Sequence, residues 1–288
     1  MRSAYTLPLF SLGLAGLLQI CLGDAAYNNQ SLVKTDQTCQ RIVLTSAGQA
    51  SQQPASETSL LEDFTPVQVG FQFSHAHLHD HSLGKGASAY DESVTFSTQY
   101  KQRLQLQAVV GREDYYWDYK AYRLNGEYVD LAALYDVWEQ VYVGPFFEIS
   151  YDHIKRRGQP YHTETILASG LLATKDWQLD KLDVALTGTL ASMNKRNLAE
   201  IGDSNDTAAA LLCNVRYAIL DHTGIGGYAY YYSLLNNPRT TDGHYWLFGT
   251  QLDQQLGRHW LLTAGIGKTV ADDSYDQVRY DFSVNYLF

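Results

Sequence analysis

Residues 277–288 read Gln-Val-Arg-Tyr-Asp-Phe-Ser-Val-Asn-Tyr-Leu-Phe. Val278, Tyr280, Phe282, Val284, Tyr286 and Phe288 are apolar or aromatic. The residues between them, Gln277, Arg279, Asp281, Ser283 and Asn285, are polar, with Leu287 the one exception. Successive side chains of a strand point to opposite faces, so this segment is a strand with one apolar face and one wet face. A strand of a soluble sandwich alternates in the same way but averages only five or six residues. The run here has the length needed to cross hydrocarbon at a tilt.

The alternation recurs from Pro66 onward. Val67, Val69, Phe71 and Phe73 alternate with Gln68, Gly70, Gln72 and Ser74. Apolar faces follow at Val94, Phe96, Thr98 and Tyr100, then at Leu104, Leu106, Ala108 and Val110. Further on come Val129, Leu131, Ala133, Tyr135 and Val137, and then Val141, Val143, Pro145, Phe147 and Ile149. Residues 163–172 read as a strand of ambiguous facing. Leu182, Val184, Leu186 and Leu190 resume the pattern, as do Leu211, Cys213, Val215 and Tyr217. Tyr228, Tyr230, Tyr232 and Leu234 form an aromatic stripe, expected on the apolar face. Trp246, Phe248 and Leu252, then Trp260, Leu262, Ala264 and Ile266, lead to the terminal strand. The count is about twelve strands. No segment beyond the leader is apolar enough for a membrane helix, and a chain without such helices spans a bilayer only as a closed barrel.

Tyr280, Phe282, Val284, Tyr286 and Phe288 resemble the C-terminal assembly signal of bacterial outer-membrane proteins, which end on Phe with apolar residues at every second position before it. The resemblance implies an antiparallel, up-and-down transmembrane β-barrel in the outer membrane, delivered through the barrel assembly machinery and in contact with lipid and lipopolysaccharide. The other end agrees. Arg2, the apolar run from Leu7 to Leu22, and the small residues Gly23, Ala25 and Ala26 read as a cleaved secretory signal peptide. The expected organisation is a signal peptide at 1–25, a flexible Ser/Gln/Thr-rich segment at 26–63 that is a candidate plug, and an all-β barrel at 64–288.

With both barrel ends in the periplasm, alternate connections should be short there and long outside. The short ones are expected at 101–103, 139–140, 175–178, 220–223 and 256–258. The outer loops are expected at 78–89, 114–126, 156–161, 194–207, 236–244 and 271–274.

The alternate positions of these strands place Asp130, Asp136, Glu148, Asp152, Asp183, Asp253 and Asp281 in the lumen, with Lys101, Arg216 and Arg279 as the basic residues there. This excess, and a formal charge of −10, disfavour nucleic acid and favour a narrow pore for small, cationic solutes. The alternative is a closed barrel serving in assembly, export or surface interaction, its charges paired as a structural network. His75, His77, His79 and His81 share one strand face, and such pairs chelate Zn or Cu if a third ligand is at hand. An outer-membrane hydrolase is the third reading. The adjacent His81-Ser82 point to opposite faces, and Asp221-His222 and Asp272-Asp273 match a rim protease poorly, so no catalytic residues are assigned. Gly224, Gly226 and Gly227 read as close backbone packing or a bulge. Cys39 and Cys213 make no disulfide framework, and Cys213 is expected to face lipid.

Overall fold

The computed structural model describes residues 64–80, 85–101, 103–117, 122–138, 141–155, 162–198, 202–220, 222–235, 244–270 and 275–288. The expected leader and the 26–63 segment lie outside them, as does His81. The described residues form twelve strands: β1 (Phe64–Asp80), β2 (Lys85–Tyr100), β3 (Leu104–Trp117), β4 (Tyr122–Trp138), β5 (Val141–Lys155), β6 (His162–Leu179), β7 (Leu182–Leu198), β8 (Gly202–Leu220), β9 (Thr223–Leu234), β10 (His244–Leu256), β11 (Trp260–Val270) and β12 (Tyr275–Leu287). Each pairs antiparallel with its neighbours in sequence, and β1 closes on β12 from Gln68↔Leu287 to Asp80↔Tyr275. Closure removes every sheet edge, the condition for placing a sheet in lipid.

The barrel is inside-out relative to a soluble protein. Phe71, Phe96, Leu131, Leu171, Leu190 and Leu252 stand exposed on the outer wall, while Gln72, Asp91, Glu148, Asp152, Arg216 and Arg279 are buried within. Aromatic residues band the outer wall at both ends. Tyr135, Trp138, Trp177, Tyr217 and Trp260 ring the near rim, where β1 begins and β12 ends; Tyr90, Tyr116, Tyr151, Trp246 and Tyr280 ring the far one. On β2 the two bands are Tyr90 and Tyr100. Ten residues at ~3.4 Å rise and about 40° tilt give roughly 26 Å along the axis, the height of a membrane barrel's apolar band.

The register fixes the tilt. A row of paired residues leaves β6 at Glu164, passes through all twelve strands and returns to β6 at Gln178, fourteen residues further along. Twelve strands with a shear of fourteen tilt by about 40°, and close a wall roughly 24 Å across between backbones.

Three expectations change. The far-rim connections are shorter than the sequence suggests, spanning 81–84, 118–121 and 199–201 where 78–89, 114–126 and 194–207 were expected to loop. The strands continue past the aromatic band, where the outer face turns polar and apolar alternation disappears. Arg112 and Arg123 reach Asp114 there at 2.9 and 3.4 Å. On the near rim one turn moves from 175–178 to Asp180-Lys181, with Asp180 in the left-handed region at φ 54°. Finally, Tyr228, Tyr230 and Tyr232 face the lumen, and Ile225, Ala229 and Tyr231 take the outer face of β9. Both sets are apolar enough for lipid, so alternation did not choose; the phenolic hydroxyls suit the polar interior.

Candidate functional site: the acidic lumen

Alternation is strict once the phase of each strand is known, so the inner residues follow from the pairing. Asp130, Asp136, Glu148, Asp152, Asp183, Arg216, Asp253, Arg279 and Asp281 all lie on the inner face. Four further buried carboxylates join them: Asp91, Glu113, Glu164 and Asp176. Asp91 and Glu113 fall between the expected loops at 78–89 and 114–126 and the alternating runs that begin at Val94 and end at Val110, although each continues the phase of Ser93 or of Gln105 and Gln107 on its own strand. Glu164 sits in the segment of ambiguous facing, now resolved with Glu164, Ile166, Ala168 and Leu172 inside and Leu167 and Leu171 outside. Asp176 had been assigned to a turn. Lys101 leaves the set, exposed in the β2–β3 turn at φ 48°.

The inner charges are not spread evenly. Both lumen arginines among the described residues sit on the β8 and β12 walls, each against carboxylates. Arg216 lies over Gly224, its Nε 2.6 Å from where a Cβ would stand, and so crosses β9 to meet Asp253 at 2.8 Å. Its other face points to Asp183 at 3.9 Å, and Thr263 donates to Asp253 at 2.8 Å. The close approach at Gly224 is therefore by a side chain, and the irregularity expected near it falls at 218–220. Arg279 bonds Asp281 and donates to Ser74 at 2.7 Å. Such buried pairs contribute little net stability when intact, and cost several kcal/mol when one partner is removed.

The opposite wall, β2 to β6, carries eight inner carboxylates: Asp91, Glu113, Asp130, Glu148, Asp152, Glu164 and Asp176, all buried, and the half-buried Asp136. Four stand in a single register row, Asp91↔Glu113↔Gly126↔Asp152↔Glu164. Asp130 and Glu148 face one another directly in a second row. Gly126 interrupts the first row, and the carboxylates beside it lean into the space that it leaves. Asp152 Oδ1 and Glu113 Oε1 lie 2.6 and 2.7 Å from the point a Cβ would occupy. The Tyr115 hydroxyl donates to Glu113 at 2.9 Å; Tyr128, lying over Gly111, reaches across β3 to Asp91 at 3.1 Å. Like charges directly opposite on adjacent strands repel. This row thus sets four carboxylates along one side of the lumen, with His162 beside Glu164 at its end, 3.7 Å away.

The histidines are elsewhere. His75, His77 and His79 point away from the lumen, near the far aromatic band. His75 stacks on Tyr90 at 4.5 Å and meets His77 edge-on at 4.4 Å. Among the described residues no three metal-ligating side chains converge. Cys213 is half-buried on the outer face of β8, with no disulfide.

No protein-family profile matches the sequence, and no curated protein does. Solved structures do match its shape. The β-domain of the Bordetella autotransporter BrkA aligns with a TM-score of 0.55 and 12% identity, over 77% of this chain and 99% of that one. The translocator domain of NalP from Neisseria meningitidis gives 0.53 and 15%, over 78% and 89%. The COG4313 outer-membrane channel from Pseudomonas putida F1 gives 0.52 and 12%, over 81% and 100%. At these identities the likeness is one of fold. The chain shares the fold of these outer-membrane β-barrels, here closed by twelve antiparallel strands.

Proposed function

We propose that this barrel sits in the bacterial outer membrane as a narrow channel for small solutes and favours cations. The observation that carries the reading is the β2–β6 wall, with eight inner carboxylates on five adjacent strands, while both lumen arginines among the described residues are held on other walls by Asp183, Asp253 and Asp281. A lumen lined by one sign of charge selects by sign. The fold shared with an outer-membrane channel agrees with this reading.

The test is electrical. Purified full-length protein in a planar bilayer should give discrete conductance steps, and under a KCl gradient a reversal potential on the cation-selective side. Neutralising Asp130 and Glu148 should move that potential towards zero. A protein that inserts and conducts nothing sinks the channel reading. It would leave the second one, a closed barrel acting in assembly, export or surface contact. The near-complete burial of the inner side chains and the fold shared with translocator domains favour that alternative.

A further inference from the structure

We propose that the carboxylate row on β2–β6 binds linear aliphatic oligoamines, which makes them the preferred cations of the lumen. The inference deepens the cation-channel reading and takes from it that solutes reach the inner wall.

The row offers acceptors in a line. Facing residues on neighbouring strands have Cα atoms roughly 4.5–5.5 Å apart, and strand spacing of about 4.8 Å sets the pitch. Asp91 faces Glu113, and Asp152 faces Glu164. Over Gly126, between these pairs, Glu113 and Asp152 turn towards the same point. Three successive places along one row therefore bring two carboxylates together. A metal ion is a poor match, since no three ligands converge among the described residues. A chain of ammonium groups joined by three or four methylenes places one cation at each place in turn.

Hydroxyl groups beside the row say which kind of cation. Ser150 lies on β5 between Glu148 and Asp152, and Ser93 lies on β2 two residues beyond Asp91. Both face the lumen, at 0% and 3% exposure, and neither Oγ has a hydrogen-bond partner among the described residues. A buried hydroxyl without a partner is destabilising. An ammonium carries three N–H donors and no acceptor, so it bridges carboxylates with donors to spare for such oxygens. Simple alkali cations offer no N–H and no spacing. The apolar residues that adjoin the row, Ile166 and Ala168 on β6 and Ile154 on β5, suit methylene segments.

Calorimetry on the full-length protein in detergent at low ionic strength tests this directly. The probes are the triamine spermidine and the monoamine propylamine. Saturable spermidine binding is expected, at least about tenfold tighter than that of propylamine, because charged hydrogen bonds contribute about 1.5–3 kcal/mol each and 1.4 kcal/mol is a factor of ten. It should weaken about tenfold or more in Glu113→Gln/Asp152→Asn. Gly126→Ala, which alters no charge but fills the point of convergence, should also weaken it. Folding of each variant is checked by heat-modifiable electrophoretic mobility, and Glu164→Gln at the end of the row carries the comparison if the double variant does not fold. Equal affinity for both amines, or affinity unchanged in every one of these variants, overturns the proposal. The binding readout needs no current. A silent barrel that binds spermidine ends the channel reading alone, and a cation-selective channel that does not bind it ends the oligoamine reading alone.

Discussion

Arg216 shows how much a single residue can depend on the absence of a side chain next to it. Its guanidinium reaches Asp253 only because Gly224, on the strand between them, has no Cβ. Replacing Gly224 by Val should therefore separate the pair without changing any charge. Both partners are buried, and removing the match between buried charges costs about 3–5 kcal/mol. Arg216→Ala should be comparably severe, since it leaves Asp253 and Asp183 without their cation. The double variant Arg216→Ala/Asp253→Ala should recover a large part of that loss, as replacing both members of a buried pair is often near neutral. Urea unfolding in lipid vesicles, followed by tryptophan fluorescence, provides the three values. A double variant as unstable as the sum of the single ones would mean that the two residues do not act as a pair.

Strand β9 is where sequence and structure diverge, and it supplies its own test. A cation facing hydrocarbon at the midplane of such a barrel costs about 2–4 kcal/mol, while one facing the lumen does not incur that cost. Ala229→Arg should therefore destabilise the barrel by about that amount. Tyr230→Arg, one residue further on, should be the milder change and should weaken cation selectivity in the bilayer. The sequence pattern assigns these roles the other way round. Period-two alternation identifies a strand and the two faces of it, but when both faces are apolar it does not say which faces lipid. On β12 the assignment was unambiguous, because Arg279, Asp281, Ser283 and Asn285 occupy one face alone. On β9 no charge breaks the tie, and the pairing of Leu247 with Tyr230 and of Phe248 with Ala229 decides it. The same limit explains the candidate site. Seven of its carboxylates were legible because they alternate with apolar residues in long strands. Asp91 and Glu113 lie towards the far rim, where the outer face is polar as well and alternation carries no signal. Their joining to Asp152 and Glu164 in one row is a property of register, and no single strand contains it.

At the scale of the whole barrel, the continuation of that row to the arginine wall exists only for one value of the shear. Closing β1 on β12 in its present register sets Ser74 opposite Asp281, and the inner row then passes from Asp91 through Ser74 to Asp281 and on to Arg216. A slip of one residue at this seam would turn the apolar set of β12 into the lumen, so it is strongly disfavoured. A slip of two keeps every face correct; it changes the tilt and separates the two halves of the row. The inside-out pattern alone thus leaves the shear open, and the seam pairs settle it. Cysteines introduced at Gln72 and Ser283, register partners on the inner face, should form a disulfide in the folded barrel, in a background lacking Cys39 and Cys213. Paired positions fall within the Cα separation of about 4.4–6.8 Å that a disulfide accepts. Cysteines at Gln72 and Asn285, diagonal and two residues out of register, should link far less completely under mild oxidation. Mass spectrometry of the folded species reads both yields. A higher yield for the diagonal pair would place the seam two residues away. The row would then break between Asp91 and Asp281, and the carboxylates of β2–β6 would lose their alignment with the arginine wall.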